Sequence, residues 1–401
     1  MSTKINSGSR VARSVRQALV AGTACTFAVL AALPSPALAD ARSQAKRMYD
    51  RLTGTSPSPT LLDQLEPMVA SDAEDAAMFM LDPANARSKD FYRVTLKNFA
   101  TPWTNREQSV FAPLNDYSAT VIGMVRDDVP FNQVLSADMI YTGNGVSPAY
   151  SPANNDHYAA LETQNSDLRT VLEQSTQSSK NGIPAAATAG VLTSRAASEA
   201  FFIAGTNRAM FRFTLMNHLC RDLEQVHDTS RPPDRIRQDV SRSPGGDSRV
   251  FLNNCIGCHS GMDPMAQAFA YYQYDMDAGR LVYTDGQVQP KYLINSDNFK
   301  YGYVTPDDHW DNRWRAGPNA ALGWSNGGSG TGDGAKSLGQ ELAASDAFAE
   351  CQVEKVFRYV CLRVPSDATD RTAFASMVGT FKSGYNLKRV FAQTAAYCKG
   401  D

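Results

Sequence analysis

The stretch NNCIGCHSGMDPMAQ, Asn253 to Gln267, restricts this chain more than any other part of it. Two cysteines three apart, with a histidine directly after the second, can share one turn of a helix. Cys255 and Cys258 then occupy neighbouring positions on one face and His259 lies beside them. That spacing admits few chemistries: covalent attachment of haem, a redox dithiol, or half of a zinc site.

The rest of the chain separates these readings. Zinc needs a second Cys pair or Cys/His pair at ligand spacing, and Cys351, Cys361 and Cys398 supply none. A thioredoxin-like dithiol sits in a βαβ unit, whereas the flanking segments have helical periodicity. Covalent haem needs two thiols facing the two porphyrin vinyl groups and an imidazole under the iron, and the spacing meets all three demands. With seven cysteines and five histidines in 401 residues, random placement almost never produces the pattern. The expectation is one covalent haem c, anchored by Cys255 and Cys258, with His259 as proximal iron ligand.

The N-terminus points to the same chemistry. Lys4, Arg10, Arg13 and Arg16 form a basic stretch without acidic residues, followed by the apolar run Ala18–Leu33 and then PSPALAD. This order predicts a cleavable signal peptide over residues 1–39, cut between Ala39 and Asp40, and a periplasmic protein. The apolar run is shorter than the ~20 residues of a spanning helix, and no paired arginines precede it. Cleavage removes four positive charges and no negative ones, taking the formal net charge from −2 to −6. A mildly acidic chain without a basic block is not built for nucleic acid or an anionic membrane surface.

Cys25 leaves with the signal, so six cysteines remain. In an oxidising compartment the four outside the motif, Cys220, Cys351, Cys361 and Cys398, are expected to form two disulfides. Cys351 and Cys361 share one predicted helix, which separates them by about 15 Å, too far to bridge. That leaves Cys220 with Cys351 and Cys361 with Cys398, the preferred pairing, or the crossed one.

The length allows more than one domain. Residues 40–223 read as an N-terminal helical domain and 224–401 as a C-terminal c-type haem domain with a terminal helical module. Ser58 with Pro59, and Ser71 with Glu74, mark two helix starts, and Gly205 breaks a later helix. Residues 141–184 read as an irregular connection with one helix around HYAALETQNSDLRTVLEQ. A short helix capped by Asp247 or Ser248 carries VFLNNCIGCH and ends at Gly261, and Asp263 with Pro264 restarts it. Asp285–Gly286 is placed as the tip of a tight hairpin, and residues 295–336 as loop. Val353, Val356, Phe357 and Val360 share a helix face, with two more helices after it. The fold class is mainly α, a multi-helix bundle with a haem segment and a small β-hairpin.

Several stretches also resemble a known family. GVLTSRA from Gly190, TNRAMFRFTLMNHLC ending at Cys220, RPPD, CIGCHSGMDP and YQYDMDAGR are similar to the haem-bearing C-terminal part of the planctomycete-type cytochrome c proteins. ASDAFAECQVEKVFRYVCLR and FKSGYNLKRVFAQT resemble that family's terminal helical module, and LTGTSPSPTLLDQL and DVPFNQVLSADMIY its N-terminal modules more loosely. The resemblance implies a periplasmic c-type haem protein. MDPMAQAF departs from it, lacking the glycine and glutamate expected after MDP, and no second haem motif is present.

Met139, Met276 and Met377 are candidates for a sixth iron ligand, with His309 as their rival. Met262 and Met265 follow His259 too closely to reach the opposite porphyrin face. His157, His218 and His227 have no ligand spacing among them. NGGSGTGDGAKS breaks the phosphate-loop pattern at Ala335, and neither it nor DMDAGR completes a calcium loop. The expected function is one-electron transfer with a periplasmic redox partner. The alternatives are a peroxidase-like or oxidative haem enzyme with an open sixth position, and a partner-docking module with structural haem.

Overall fold

The structure, a computed structural model, describes residues 39–203, 207–236, 248–293 and 302–400. The expected signal peptide lies outside the described residues except for Ala39, as do Gly205 and Asp247.

Helix dominates, as expected. The chain opens with α1 (Ala41–Thr53), α2 (Pro59–Ser71) and α3 (Ala73–Leu81). Their starts are set by side chains that satisfy orphan amides. Asp40 accepts from the Ser43 amide at 2.7 Å, and Ser58 from that of Leu61 at 3.2 Å with Pro59 in the first turn. At α3 the expected cap is corrected: Ser71 is the last residue of α2, and Asp72 caps α3. Its carboxylate takes the amides of both Glu74 and Asp75, at 2.8 and 3.0 Å.

After the short α4 (Leu96–Ala100) comes α5 (Asp116–Arg126), in which every residue from Asp116 to Val125 is buried. A helix covered on all sides forms the centre of the packing. β1 (Ile140–Gly143), α6 (Asp156–Thr163), α7 (Leu168–Val171), β2 (Leu172–Ser175) and α8 (Gln177–Asn181) follow. β1 and β2 pair antiparallel from Ile140↔Ser175 to Gly143↔Leu172. The stretch 141–184 is therefore more ordered than its composition suggests, because the ladder ties its two ends together beside α5. The Asp116 carboxylate accepts the amides of Arg195 and Ala196 at 2.6 and 3.0 Å and so anchors the start of α9 (Arg195–Phe201).

α10 (Arg208–Thr214) continues through a π-type turn to Cys220, and α11 (Ser248–Asn254) and α12 (Ile256–Ala266) carry the motif segment. β3 (Tyr272–Asp275) and β4 (Arg280–Tyr283) form a hairpin. Its turn lies at residues 276–279, not at Asp285–Gly286, which corrects the sequence reading. Asp275 accepts the amides of Asp277 and Ala278 at 3.0 Å each, and Gly279 takes φ +65°. After Gly286 the chain enters a 3₁₀ turn at Pro290–Leu293, where proline removes a donor that a ladder needs. The stretch 295–336, read as loop, contains a further antiparallel pair, β5 (His309–Asp311) with β6 (Thr331–Asp333). Its glycines make room for Arg315: a Cβ on Gly328 or Gly330 would stand 2.4 Å from that side chain, which grips buried Glu341 at 2.7 Å through both Nε and Nη2.

The chain closes with α13 (Gly334–Ala343), α14 (Asp346–Cys361), α15 (Ala368–Gly384) and α16 (Leu387–Tyr397). The division at residue 223 is not a division of the packing, and the described chain from Ala39 onward forms one compact unit. α16 packs on α3 and α14, and Phe91 meets Phe391 edge to face at 5.2 Å. Gln44 donates to the Gly400 carbonyl at 2.9 Å, and Arg389 pairs with Glu74 at 2.9 Å. The apolar face of α14 needs cover, and α15, α16 and the turn at Leu215–Leu219 supply most of it, with α1 alongside. Disulfides join Cys220 to Cys351 and Cys361 to Cys398, with Cα–Cα distances of 5.3 and 5.5 Å, the preferred pairing. Among the described residues no helix is long and apolar enough to cross a membrane.

Candidate functional site

The motif segment does not form one helix ended by Gly261. α11 stops at Asn254, the chain turns at Cys255, and α12 runs on through Gly261, Asp263 and Pro264. Gly257 and Gly261 serve close approach instead of helix ending. A Cβ on Gly261 would stand 1.9 Å from Trp314 Nε1, and one on Gly257 would stand 2.2 Å from His227 Nε2.

Cys255 occupies the cap position of α12, and its carbonyl accepts the amides of Cys258 and His259 at 3.3 and 3.2 Å. The two cysteines and the histidine thus occupy the cap and first turn of one helix, as the spacing predicts. Both thiols are half-buried and unbridged. Cys258 Sγ points to the Leu223 carbonyl at 3.5 Å. Burial pushes the Cys258 thiol up, and Cys255, Glu224 and Asp222 add to the effect.

His259 Nδ1 lies 3.0 Å from Asp263 Oδ2, one helical turn further on. A carboxylate only accepts, so Nδ1 carries a proton toward Asp263. The Asp263 side chain is 0% exposed and is gripped by Arg208, Nε to Oδ1 at 2.7 Å and Nη2 to Oδ2 at 3.0 Å. The segment 223–231 wraps the same turn: the Asp228 amide donates to the Gly257 carbonyl at 2.9 Å, and Ser260 Oγ donates to the Asp228 carbonyl at 3.0 Å.

Sequence reasoning missed Asp263, Arg208, His227 and Asp228 as neighbours of the motif. For Asp263 the signal existed, since His259 and Asp263 are four apart in a helical stretch, but the Asp-Pro pair reads as a helix start. The other three come from distant segments and have no local signal.

The candidate sixth ligands are scattered. Met276 is 69% exposed at the β3–β4 turn. Met377 Sδ accepts from Thr394 Oγ1 at 3.6 Å inside the C-terminal helices, while Met139 is buried beside β1 and Met262 and Met265 lie in the core. His309 has both ring nitrogens engaged, Nδ1 with Asp333 and Nε2 with Thr331 Oγ1, each at 2.9 Å. His157 is likewise held at both nitrogens, by the Pro148 carbonyl at 2.7 Å and the Gly143 amide at 2.8 Å. His218 is buried against Tyr117 Oη at 2.7 Å, and desolvation holds its pKa well below the usual histidine range.

Among the described residues no three or more His, Cys, Asp and Glu side chains converge to hold a metal ion. Haem makes no such demand, because the porphyrin brings four of the iron's donors and the protein one or two. A cleft of about 580 Å³ lies elsewhere, lined by Asn105, Arg106, Asn155, Arg195 and Glu199 among others. Comparison of the chain with known protein families, curated proteins and solved structures finds no match.

Proposed function

We propose that this chain is an exported monohaem c-type cytochrome of the planctomycete type that passes single electrons between periplasmic partners. One juxtaposition carries the reading. At the start of α12, two unbridged thiols sit within a turn of each other beside an imidazole whose Nδ1 is committed to Asp263. That is the donor set a covalent haem requires: each thiol adds across one vinyl group, and the imidazole offers Nε2 to the iron. The haem, when bound, supplies the ferric/ferrous couple. Cys255 and Cys258 hold its edge, Asp263 fixes the orientation and tautomer of His259, and the segment 223–231 braces the turn from behind.

A second reading, a haem enzyme with an open sixth position, is favoured by the carboxylate behind His259. An anionic partner at Nδ1 strengthens electron donation to iron, a property useful in oxidative chemistry.

The test is to express the full chain, leader included, in a host that matures c-type haem. The expected product begins at Asp40, carries one haem that survives denaturation, and loses it when Cys255 and Cys258 are both changed to Ala. A folded, exported chain without covalent haem overturns the proposal. Carbon monoxide then separates the two readings: a reduced spectrum that does not move supports electron transfer, and one that shifts supports the enzyme.

A further inference from the structure

We infer that Asp263, clamped by Arg208, is a positioning residue that sets the electronic character of His259 and with it the balance between oxidised and reduced haem; this rests on the cytochrome reading. A backbone carbonyl would orient the imidazole equally well, so a buried carboxylate in that place has a further consequence. The Asp263 side chain has no exposed surface, so its charge acts on the imidazole with little screening by water. Pulling on the Nδ1 proton makes Nε2 a stronger donor and favours ferric iron.

Arg208 limits the effect. Its bidentate grip fixes the plane of the carboxylate and offsets part of its charge. Arg208 is itself placed by a built anchor: Asn207, left-handed at φ 64°, donates through Nδ2 to the carbonyls of Phe269 and Tyr272 at 2.7 and 2.9 Å. The start of α10 is thereby tied to the segment that follows α12, and the guanidinium meets Asp263 across the two helices. An ion pair serving only to hold α10 against α12 would not affect the iron.

The two residues should therefore act on the haem in opposite directions. In holoprotein, Asp263→Asn keeps a hydrogen-bond acceptor at Nδ1 but removes the charge, and the one-electron reduction equilibrium is expected to shift about tenfold toward the ferrous form, 59 mV. Arg208→Gln removes one positive charge from beside the carboxylate and is expected to shift it toward the ferric form, while Arg208→Lys, which keeps the charge, stays near wild type. Spectroelectrochemical titration reads all three. If Asp263→Asn gives no holoprotein, the contrast between Arg208→Gln and Arg208→Lys decides alone. Shifts below twofold in a haem-loaded protein, or Asp263→Asn and Arg208→Gln moving the same way, overturn this inference and leave the cytochrome reading standing. A wild-type chain without covalent haem overturns both.

Discussion

Gly261 reads in sequence as a helix end and proves, like Gly257, to be a packing site, where Trp314 and His227 press onto the α12 backbone. The three motif residues were legible because their close spacing is itself a pattern, whereas the place of Asp263 beside His259 was not, because it depends on a helix running on through Pro264. Asp308 shows a residue property with a measurable consequence. Burial pushes its carboxyl up to about 6, and the charges of Asp333, Asp307 and Asp285 add to the effect. The folded pKa lies above the unfolded value of about 4, so between these values the folded chain binds more protons and stability falls as pH rises. Asp308→Asn is therefore expected to raise the melting temperature at pH 7.5 and to leave it nearly unchanged at pH 4. An equal change at both pH values would exclude the ionisation as the cause.

The helices that sequence placed well are those with a capping side chain and a one-sided apolar pattern, such as α2 with Ser58 and Pro59, or α14 with Val353, Val356, Phe357 and Val360 buried. The short strands were missed or misplaced, because a four-residue strand has almost no periodicity of its own and exists only where a partner meets it. β1 and β2 are the example, pairing across the two-helix stretch, α6 and α7, that separates them in sequence. The C-terminal helices depend on a covalent tie as well. Cys361 and Cys398 close a loop of sequence separation 37 around α15 and α16. Replacing both with Ser is expected to cost about 3–4 kcal/mol, read as a lower denaturant midpoint. An unchanged midpoint would mean that helix packing alone holds these elements.

At the scale of the whole molecule, the chain's first and last helices cover one another, through α1, α3, α14 and α16, so a cut at residue 223 divides one core. A fragment of residues 40–223 is expected to lack a cooperative thermal transition and to bind a hydrophobic dye, while the chain from Asp40 to the end melts once. A cooperative melt of the fragment would restore the two-domain reading. By itself the sequence determined the mainly helical class, the exclusion of a Cys351–Cys361 bridge and the grouping of Cys255, Cys258 and His259 on one turn. Each of these follows from spacing along a helix, which is a local property. Only the tertiary structure decided which residues stand behind the histidine, where the strands pair and what covers α14. Those outcomes join segments far apart in sequence, and long-range packing leaves no periodic trace in either partner.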